Sequence, residues 1–198
     1  MNLLATRGVL DVLAFVFVIL ALIVLQPSVE NSDLIILPFA GLVFLRLLYL
    51  VYKGEISLSS DVFNFKGSVP ALSLYAAFTI VAILGLWLLQ EYLIFPTWLK
   101  DDEIITFLFT HALVQEVMYR VYLVNRLKQF MKNPVYLALA SGAIFGTSHL
   151  ILPDAWLVFT LTFIAGTAWS YLYARFPNLL YVWSSHAVIN LAINFLYL

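Results

Sequence analysis

The chain has 198 residues, of which 64% are hydrophobic and 11% are charged, and its mean hydropathy is +1.00. Since about a quarter of the residues in a soluble domain are charged, this composition excludes an ordinary soluble protein. The net charge of −1 predicts no nucleic-acid partner. The absence of cysteine excludes disulfides, thiolate metal sites and redox chemistry at cysteine.

Seven apolar stretches follow one another along the chain. A helix of about 20 residues crosses the roughly 30 Å of hydrocarbon in a bilayer and satisfies its own backbone there. We therefore predict an all-α fold, a polytopic transmembrane helical bundle forming a single domain over residues 1–198, with its motif-bearing part at about 104–198. The predicted spans cover approximately residues 9–25, 34–52, 69–90, 104–127, 135–152, 155–174 and 179–198.

The basic residues of the short loops predict the orientation, because Lys and Arg favour the cytoplasmic side. With the N-terminus in the cytoplasm, the inner loops and span ends hold Arg7, Lys53, Lys66, Arg126, Lys128, Lys132 and Arg175. The outer loops hold Lys100 as their one basic residue, together with the acidic Glu30, Asp33, Asp101, Asp102, Glu103 and Asp154. We expect a multi-pass integral protein of a prokaryotic plasma membrane with its C-terminus outside, whose first apolar stretch is a retained helix and not a cleaved signal.

A small set of polar residues interrupts the apolar spans. A charged side chain at the centre of a membrane helix costs about 2.5 to 3.5 kcal/mol on insertion scales, so each needs a partner, a cavity or a function. Asp11 and Arg46 are predicted to pair with each other or to extend toward the interface. The other polar residues lie in the fourth, fifth and seventh spans, namely His111, Gln115, Glu116, Arg120, Ser148, His149, Ser184, Ser185, His186, Asn190 and Asn194.

In the fourth span, Glu116 and Arg120 are four residues apart with the acid first, which favours an intrahelical ion pair. Mutual neutralisation is therefore one interpretation of Arg120, and a functional role is the other. Gln115 lies about 100° around the helix from Glu116, so both side chains can face one cavity from different directions.

Two histidines complete the candidate site. His186 and Asn190 are four residues apart and share one face of the seventh span, while His149 comes from the fifth. A single buried histidine is more often satisfied by a backbone carbonyl, but two histidines, a glutamate and an asparagine at similar depth favour a common site. Such groups bind a divalent metal, or they position and deprotonate water. His149, His186 and Glu116 are thus candidate ligands for a divalent metal such as zinc.

Three spaced motifs resemble those of a known family. Gln115-Glu116-x-x-x-Arg120, Phe145-x-x-x-His149 and His186-x-x-x-Asn190 are similar to the EExxxR, FxxxH and HxxxN motifs of the CAAX protease and bacteriocin-processing family, also called Abi proteins. The resemblance covers about Phe107 to Leu198.

The resemblance implies an intramembrane endopeptidase that acts on a membrane-embedded or prenylated peptide or protein. It also implies that a catalytic water lies between Gln115 and His149, and that His186 and Asn190 stabilise the oxyanion. The candidate catalytic residues are Gln115, Glu116, Arg120, His149, His186 and Asn190.

One position departs from the family pattern. Gln115 occupies the place of the first motif glutamate, and an amide cannot take a proton from water. Three explanations of this glutamine are open. The family tolerates glutamine here and Glu116 acts as the base, or the protein is an inactive relative, or a glutamate has been replaced deliberately. Val121 also stands where the family often has glycine.

Other functions fit less of the pattern. A catalytically inactive membrane scaffold of the same fold, which binds partner proteins, is the main alternative. A rhomboid-type serine protease would need an imidazole within reach of Ser148, and that serine is more simply part of a close-packing stripe with Gly142 and Gly146. A small transporter is a further alternative, since buried His and Glu side chains also form proton relays. An intramembrane aspartyl protease is disfavoured because only Asp11 lies within a span.

Overall fold

The structure is a computed structural model that describes residues 3–25, 33–66, 68–92, 104–150 and 155–196. These residues form helices and connecting turns, and the only β-type pairing among them is an isolated bridge between Phe63 and Asn178. The predicted all-α helical bundle is therefore confirmed. The single-domain assignment stays a prediction.

A helix occurs in each of the seven predicted spans. The fourth span is one continuous run in which α4 passes through a π-helix, Val117–Val124, into α5. A second π-helical turn, Leu58–Val62, and a 3-10 turn, Gln90–Tyr92, flank α3. The α-helices are α1 (Leu3–Leu25), α2 (Asp33–Tyr52), α3 (Ser68–Leu89), α4 (Ile104–Glu116), α5 (Asn125–Leu127), α6 (Pro134–Thr147), α7 (Ala155–Arg175) and α8 (Leu179–Leu196).

Four helical segments among the described residues are long and apolar enough to cross a membrane, namely Leu4–Val24, Ser68–Leu89, Trp156–Arg175 and Leu179–Leu196. The apolar helices Pro38–Tyr52 and Pro134–Thr147 are shorter. Together these helices identify a multi-pass integral membrane protein, whereas the count of seven spans and the orientation remain predictions. Lys100, Glu30, Asp101, Asp102, Glu103, Asp154 and the predicted span ends at Leu152 and Leu198 lie outside the described residues, and so does the side chain of Asp33.

Asparagine side chains begin two of the helices that carry the motifs. The Asn133 carboxamide accepts a hydrogen bond from the backbone N–H of Val135, with Pro134 at the first helical position. Asn178 accepts from the N–H groups of Leu180 and Tyr181 at the start of α8. Such caps satisfy backbone donors that have no partner within the helix.

Glycines allow α6 and α7 to pack at very short range. A Cβ atom added to Gly142 would lie 2.7 Å from the backbone nitrogen of Thr167 and 2.9 Å from the carbonyl oxygen of Phe163. A Cβ on Gly166 would lie 2.7 Å from the Phe145 ring. Backbone contact through small residues is a common way for membrane helices to associate. The close-packing role predicted for Gly142 is thus confirmed, and the packing fixes α6, which His149 directly follows, against α7.

A second group of charges, which we call the Arg126 network, joins α1, α2 and α5. The predicted pair of Asp11 and Arg46 is confirmed, with Arg46 donating to both carboxylate oxygens at 3.0 to 3.2 Å. Arg126 is fully buried, and its guanidinium lies 2.6 Å from Asp11 Oδ2 and 2.8 Å from Glu55 Oε2. Arg7 completes the network at 3.8 Å from Glu55. These contacts leave no member of the network without an opposite charge.

Candidate active site

The first motif lies where the fourth span changes its helical type. Glu116 is the last residue of α4, and the π-helix Val117–Val124 begins directly after it. All residues from Met118 to Val124 are buried. A π-helix is wider than an α-helix and is common at functional sites. In this segment consecutive side chains face the interior of the bundle, so the segment has no single face toward lipid.

Glu116 links two of the three motifs. Its Oε1 lies 2.7 Å from His186 Nδ1, and its Oε2 lies 3.0 Å from Arg120 Nε. The Glu116 and Arg120 side chains are fully buried, and His186 is 5% exposed. The predicted Glu116–Arg120 ion pair is therefore confirmed. The structure adds a carboxylate–imidazole contact that orients the His186 ring.

Arg120 lies against aromatic rings. Its guanidinium carbon is 4.9 Å from the centre of the Phe145 ring and 5.7 Å from that of Trp169. The three guanidinium nitrogens have no aligned hydrogen-bond partner among the described residues. Arg120 therefore acts on Glu116 through charge at short range, while the π faces of Phe145 and Trp169 provide the rest of its environment.

His149 follows α6, and its orientation is set by the backbone. Its Nδ1 lies 2.8 Å from the carbonyl oxygen of Phe145, with Ser148 Oγ 3.3 Å away. Because a carbonyl oxygen only accepts, Nδ1 must carry the proton, and Nε2 is then left with a lone pair. Ser148 Oγ donates to the same carbonyl at 2.7 Å, so its hydroxyl hydrogen is already used there.

Phe145 brings the two catalytic histidine candidates together. The centroid of its ring is 4.6 Å from that of His149 and 6.0 Å from that of His186, both in edge-to-face geometry. His149 also lies within electrostatic range of His186, His111 and Arg120. Both histidine rings therefore pack against the same phenylalanine ring.

Gln115 and Glu116 have different partners. Gln115 Nε2 lies 3.3 Å from Nδ1 of His111, one turn earlier on α4, whereas Glu116 faces His186 and Arg120. The contact of His111 with Gln115 was not predicted from the sequence. Its spacing of four residues from Gln115 was the available signal. Asn190 is half-buried on α8, four residues after His186.

The candidate metal ligands do not form a metal-binding group in this structure. Among the described residues, no cluster of three or more His, Asp or Glu side chains could hold an ion. Glu116 is shared between His186 and Arg120, and His149 is directed by its bond to Phe145. In this geometry the side chains of His149, His186 and Glu116 are not arranged as ligands of one metal ion.

Trp169 is a part of the site that sequence reasoning missed. Its indole stacks on the His186 imidazole with ring centroids 4.5 Å apart and an angle of 30° between the planes. Trp169 is 2% exposed and comes from α7, which carries none of the three motifs. Nothing in the local sequence distinguishes it from an ordinary membrane-helix tryptophan.

A family comparison agrees with the motif region. Residues 102–192 match the family model described as type II CAAX prenyl endopeptidase Rce1-like. The matched segment contains all six candidate catalytic residues and leaves out α1, α2 and α3. No curated protein and no solved structure matches the chain.

Proposed function

We propose that the protein is an intramembrane endopeptidase, because residues 102–192 match the family model described as type II CAAX prenyl endopeptidase Rce1-like. Its substrate is a peptide or protein held in the bilayer, with a prenylated C-terminal peptide as the first candidate. The observation that carries the proposal is the 2.7 Å contact between Glu116 and His186, because it joins two motifs from distant parts of the chain.

The contact supports a role for His186 as the base that activates water. With Arg120 beside Glu116, the carboxylate accepts a hydrogen bond from the Nδ1–H of a neutral His186, which leaves a lone pair on Nε2. A neutral imidazole in this state accepts a proton but cannot donate one to an oxyanion. His186 is therefore better suited to deprotonate water than to the oxyanion role that the family resemblance implies for it.

The proposed reaction is hydrolysis of one peptide bond. A water molecule is held by the Nε2 atoms of His149 and His186, and His186 takes one of its protons. The resulting hydroxide adds to the scissile carbonyl carbon, and Asn190 donates a hydrogen bond to the oxyanion. The protonated His186 then gives its proton to the leaving nitrogen as the C–N bond breaks. Glu116 and Arg120 position His186 and stabilise its positive charge.

The test is cleavage of a prenylated CAAX peptide and of a transmembrane peptide by the purified protein. Glu116→Gln and His149→Ala should each lower kcat by about 100-fold or more, since general acid–base groups contribute on that scale. Glu91→Gln changes an exposed glutamate to the same amide and should leave kcat unchanged. A wild-type protein that cleaves neither substrate, or a His149→Ala variant with full activity, would contradict the proposal.

A catalytically inactive scaffold is the second candidate, and the observation that favours it is Gln115. The Gln115 side chain contacts His111 and provides no carboxylate at the place of the first motif glutamate. If the protein is an inactive relative, wild type should show no cleavage and Gln115→Glu should create it. If Glu116 and His186 are sufficient, wild type is active and Gln115→Glu changes kcat only modestly.

A further inference from the structure

Trp169 is connected to α3 by a chain of hydrogen bonds. The indole Nε1–H lies 2.9 Å from Ser185 Oγ, and Ser185 Oγ lies 2.7 Å from Thr79 Oγ1. Thr79 Oγ1 in turn lies 2.8 Å from the carbonyl oxygen of Tyr75. The chain crosses α7, α8 and α3, and the Trp169, Ser185 and Thr79 side chains are all buried.

The two ends of the chain fix the direction of every bond in it. An indole nitrogen only donates and a carbonyl oxygen only accepts. Trp169 therefore donates to Ser185, Ser185 donates to Thr79, and Thr79 donates to Tyr75. Each hydroxyl uses its single hydrogen once, so the chain has one arrangement and holds the indole ring in one plane.

This plane matters because His186 is held on two sides. Glu116 contacts the ring edge at Nδ1, whereas Trp169 covers a ring face at 4.5 Å. A single hydrogen bond at the ring edge bends easily, so by itself it does not stop the imidazole from turning about its Cα–Cβ and Cβ–Cγ bonds. The indole face restricts this rotation, and Phe78 of α3 packs edge-to-face against Trp169 at 5.7 Å.

We propose that Trp169 is a positioning residue for His186, and that Ser185 and Thr79 hold Trp169 in the orientation that directs His186 Nε2 toward the reacting water. The expected effect on peptide cleavage rests on the proposed function of His186 as the base. The expected effect on the orientation of the His186 ring does not. The proposal assigns to α3, which lies outside the family match, a part in the geometry of the site.

The first measurement is NMR of the protein labelled with ¹⁵N at histidine, in which only three imidazoles contribute because the chain contains three histidines. Thr79→Val removes the hydroxyl at nearly constant shape, Thr79→Ser keeps it, and Ser185→Ala breaks both of the bonds that Ser185 makes. We expect Thr79→Val and Ser185→Ala to shift or broaden the His186 signals and to leave those of His149 in place. Thr79→Ser should resemble wild type.

Thr162→Val is the matched control. Thr162 also bonds a carbonyl of its own helix, from Oγ1 to Val158 O at 2.7 Å, and it lies on the same helix as Trp169. This variant should leave all three histidine signals unchanged, which separates loss of the chain from a general loosening of the bundle.

The second measurement is peptide cleavage. Thr79→Val, Ser185→Ala and Trp169→Phe should lower kcat by roughly 10- to 100-fold, the scale on which small misplacements of a catalytic group act, with KM within about twofold of wild type. Unchanged His186 signals in Ser185→Ala and Trp169→Phe would overturn the proposal, as would a fall in kcat equal to that of Thr162→Val. If wild type has no activity, the proposed function fails, and the NMR result alone decides whether Trp169 positions His186.

Discussion

Glu116 has one contact that residue spacing predicts and one that only the folded structure reveals. Its ion pair with Arg120 is a local relation, since residues four apart on a helix are neighbours, and the sequence predicts it. The contact with His186 joins residues 70 positions apart, and no local pattern specifies which of the two histidines takes it. Gln115 and Glu116, although adjacent, turned out to have separate partners.

Glu55 gives a residue-scale prediction about pH. The hydrogen bond from Arg126 lowers the pKa of Glu55 below its ordinary value of 4.5. A carboxyl group with a depressed folded-state pKa stabilises the protein at pH values above its unfolded pKa and loses this contribution as the pH falls through the folded value. The stabilisation from Glu55 should therefore be complete at neutral pH and should be lost in acid, as the pH falls below 4.5 and through the lowered pKa of the folded state.

The Glu55→Gln variant tests this expectation. At pH 7 its free energy of unfolding should be about 1 to 2 kcal/mol lower than that of wild type. The loss is limited because Arg126 keeps Asp11 as a second partner. The difference should shrink as the pH falls below 4.5 and passes through the lowered pKa that Glu55 has in the folded protein. Thermal unfolding in detergent across this range measures it. A difference that stays constant with pH would contradict the expectation, and Glu91→Gln serves as the exposed control.

At the scale of single elements, the existence of the helices was predictable and their internal form was not. Apolar length alone indicates a helix in each span, because the bilayer offers the backbone no other partner. The change from α4 to a π-helix at Val117 depends on how the Met118–Val124 segment packs between neighbouring helices. The short length of α6, which ends at Thr147, also differs from the predicted span of residues 135–152.

The α6–α7 interface yields a prediction with an internal control. Gly142→Ala places a methyl group against the backbone of Thr167 and Phe163, so the helices must separate. Overpacking of this kind costs about 1 to 3 kcal/mol. The separation should also lower activity, because α6 carries Phe145, which packs against both candidate histidines. Gly85→Ala on α3 meets no atom within 4 Å and should be neutral or stabilising by about 0.5 to 1 kcal/mol. Equal stability of the two variants in thermal unfolding would show that the interface is looser than described.

At the scale of the whole molecule, the distribution of basic residues predicts that the connection between α2 and α3 faces the cytoplasm. The chain contains no cysteine, so single cysteines can be introduced without a background. Lys66→Cys and Lys132→Cys should react with a membrane-impermeant maleimide only from the cytoplasmic side of oriented vesicles. Glu91→Cys, at the other end of α3, should react only from outside. Labelling of Lys66→Cys and Glu91→Cys from the same side would refute the predicted topology.

The motif-bearing half of the molecule also depends on the first two helices and the segment after them. The Phe15 ring of α1 lies 5.5 Å from Tyr119, whose ring lies 4.9 Å from Phe145 at the site. The sequence did not predict these aromatic contacts, because contacts between distant helices leave no periodic signal. The pairing of Asp11 with Arg46 was foreseen, whereas the participation of Arg126 was not.

The burial of Arg126 has a consequence for how the protein is made. Its two carboxylate partners, Asp11 and Glu55, both precede it in the chain. During synthesis both carboxylates therefore reach the membrane before the guanidinium leaves the ribosome. The positive charge of Arg126 then enters the bundle next to acids that are already in place. A fragment that starts at residue 102 would have to insert the same charge without them. Both acids are thus synthesised before the arginine that they neutralise.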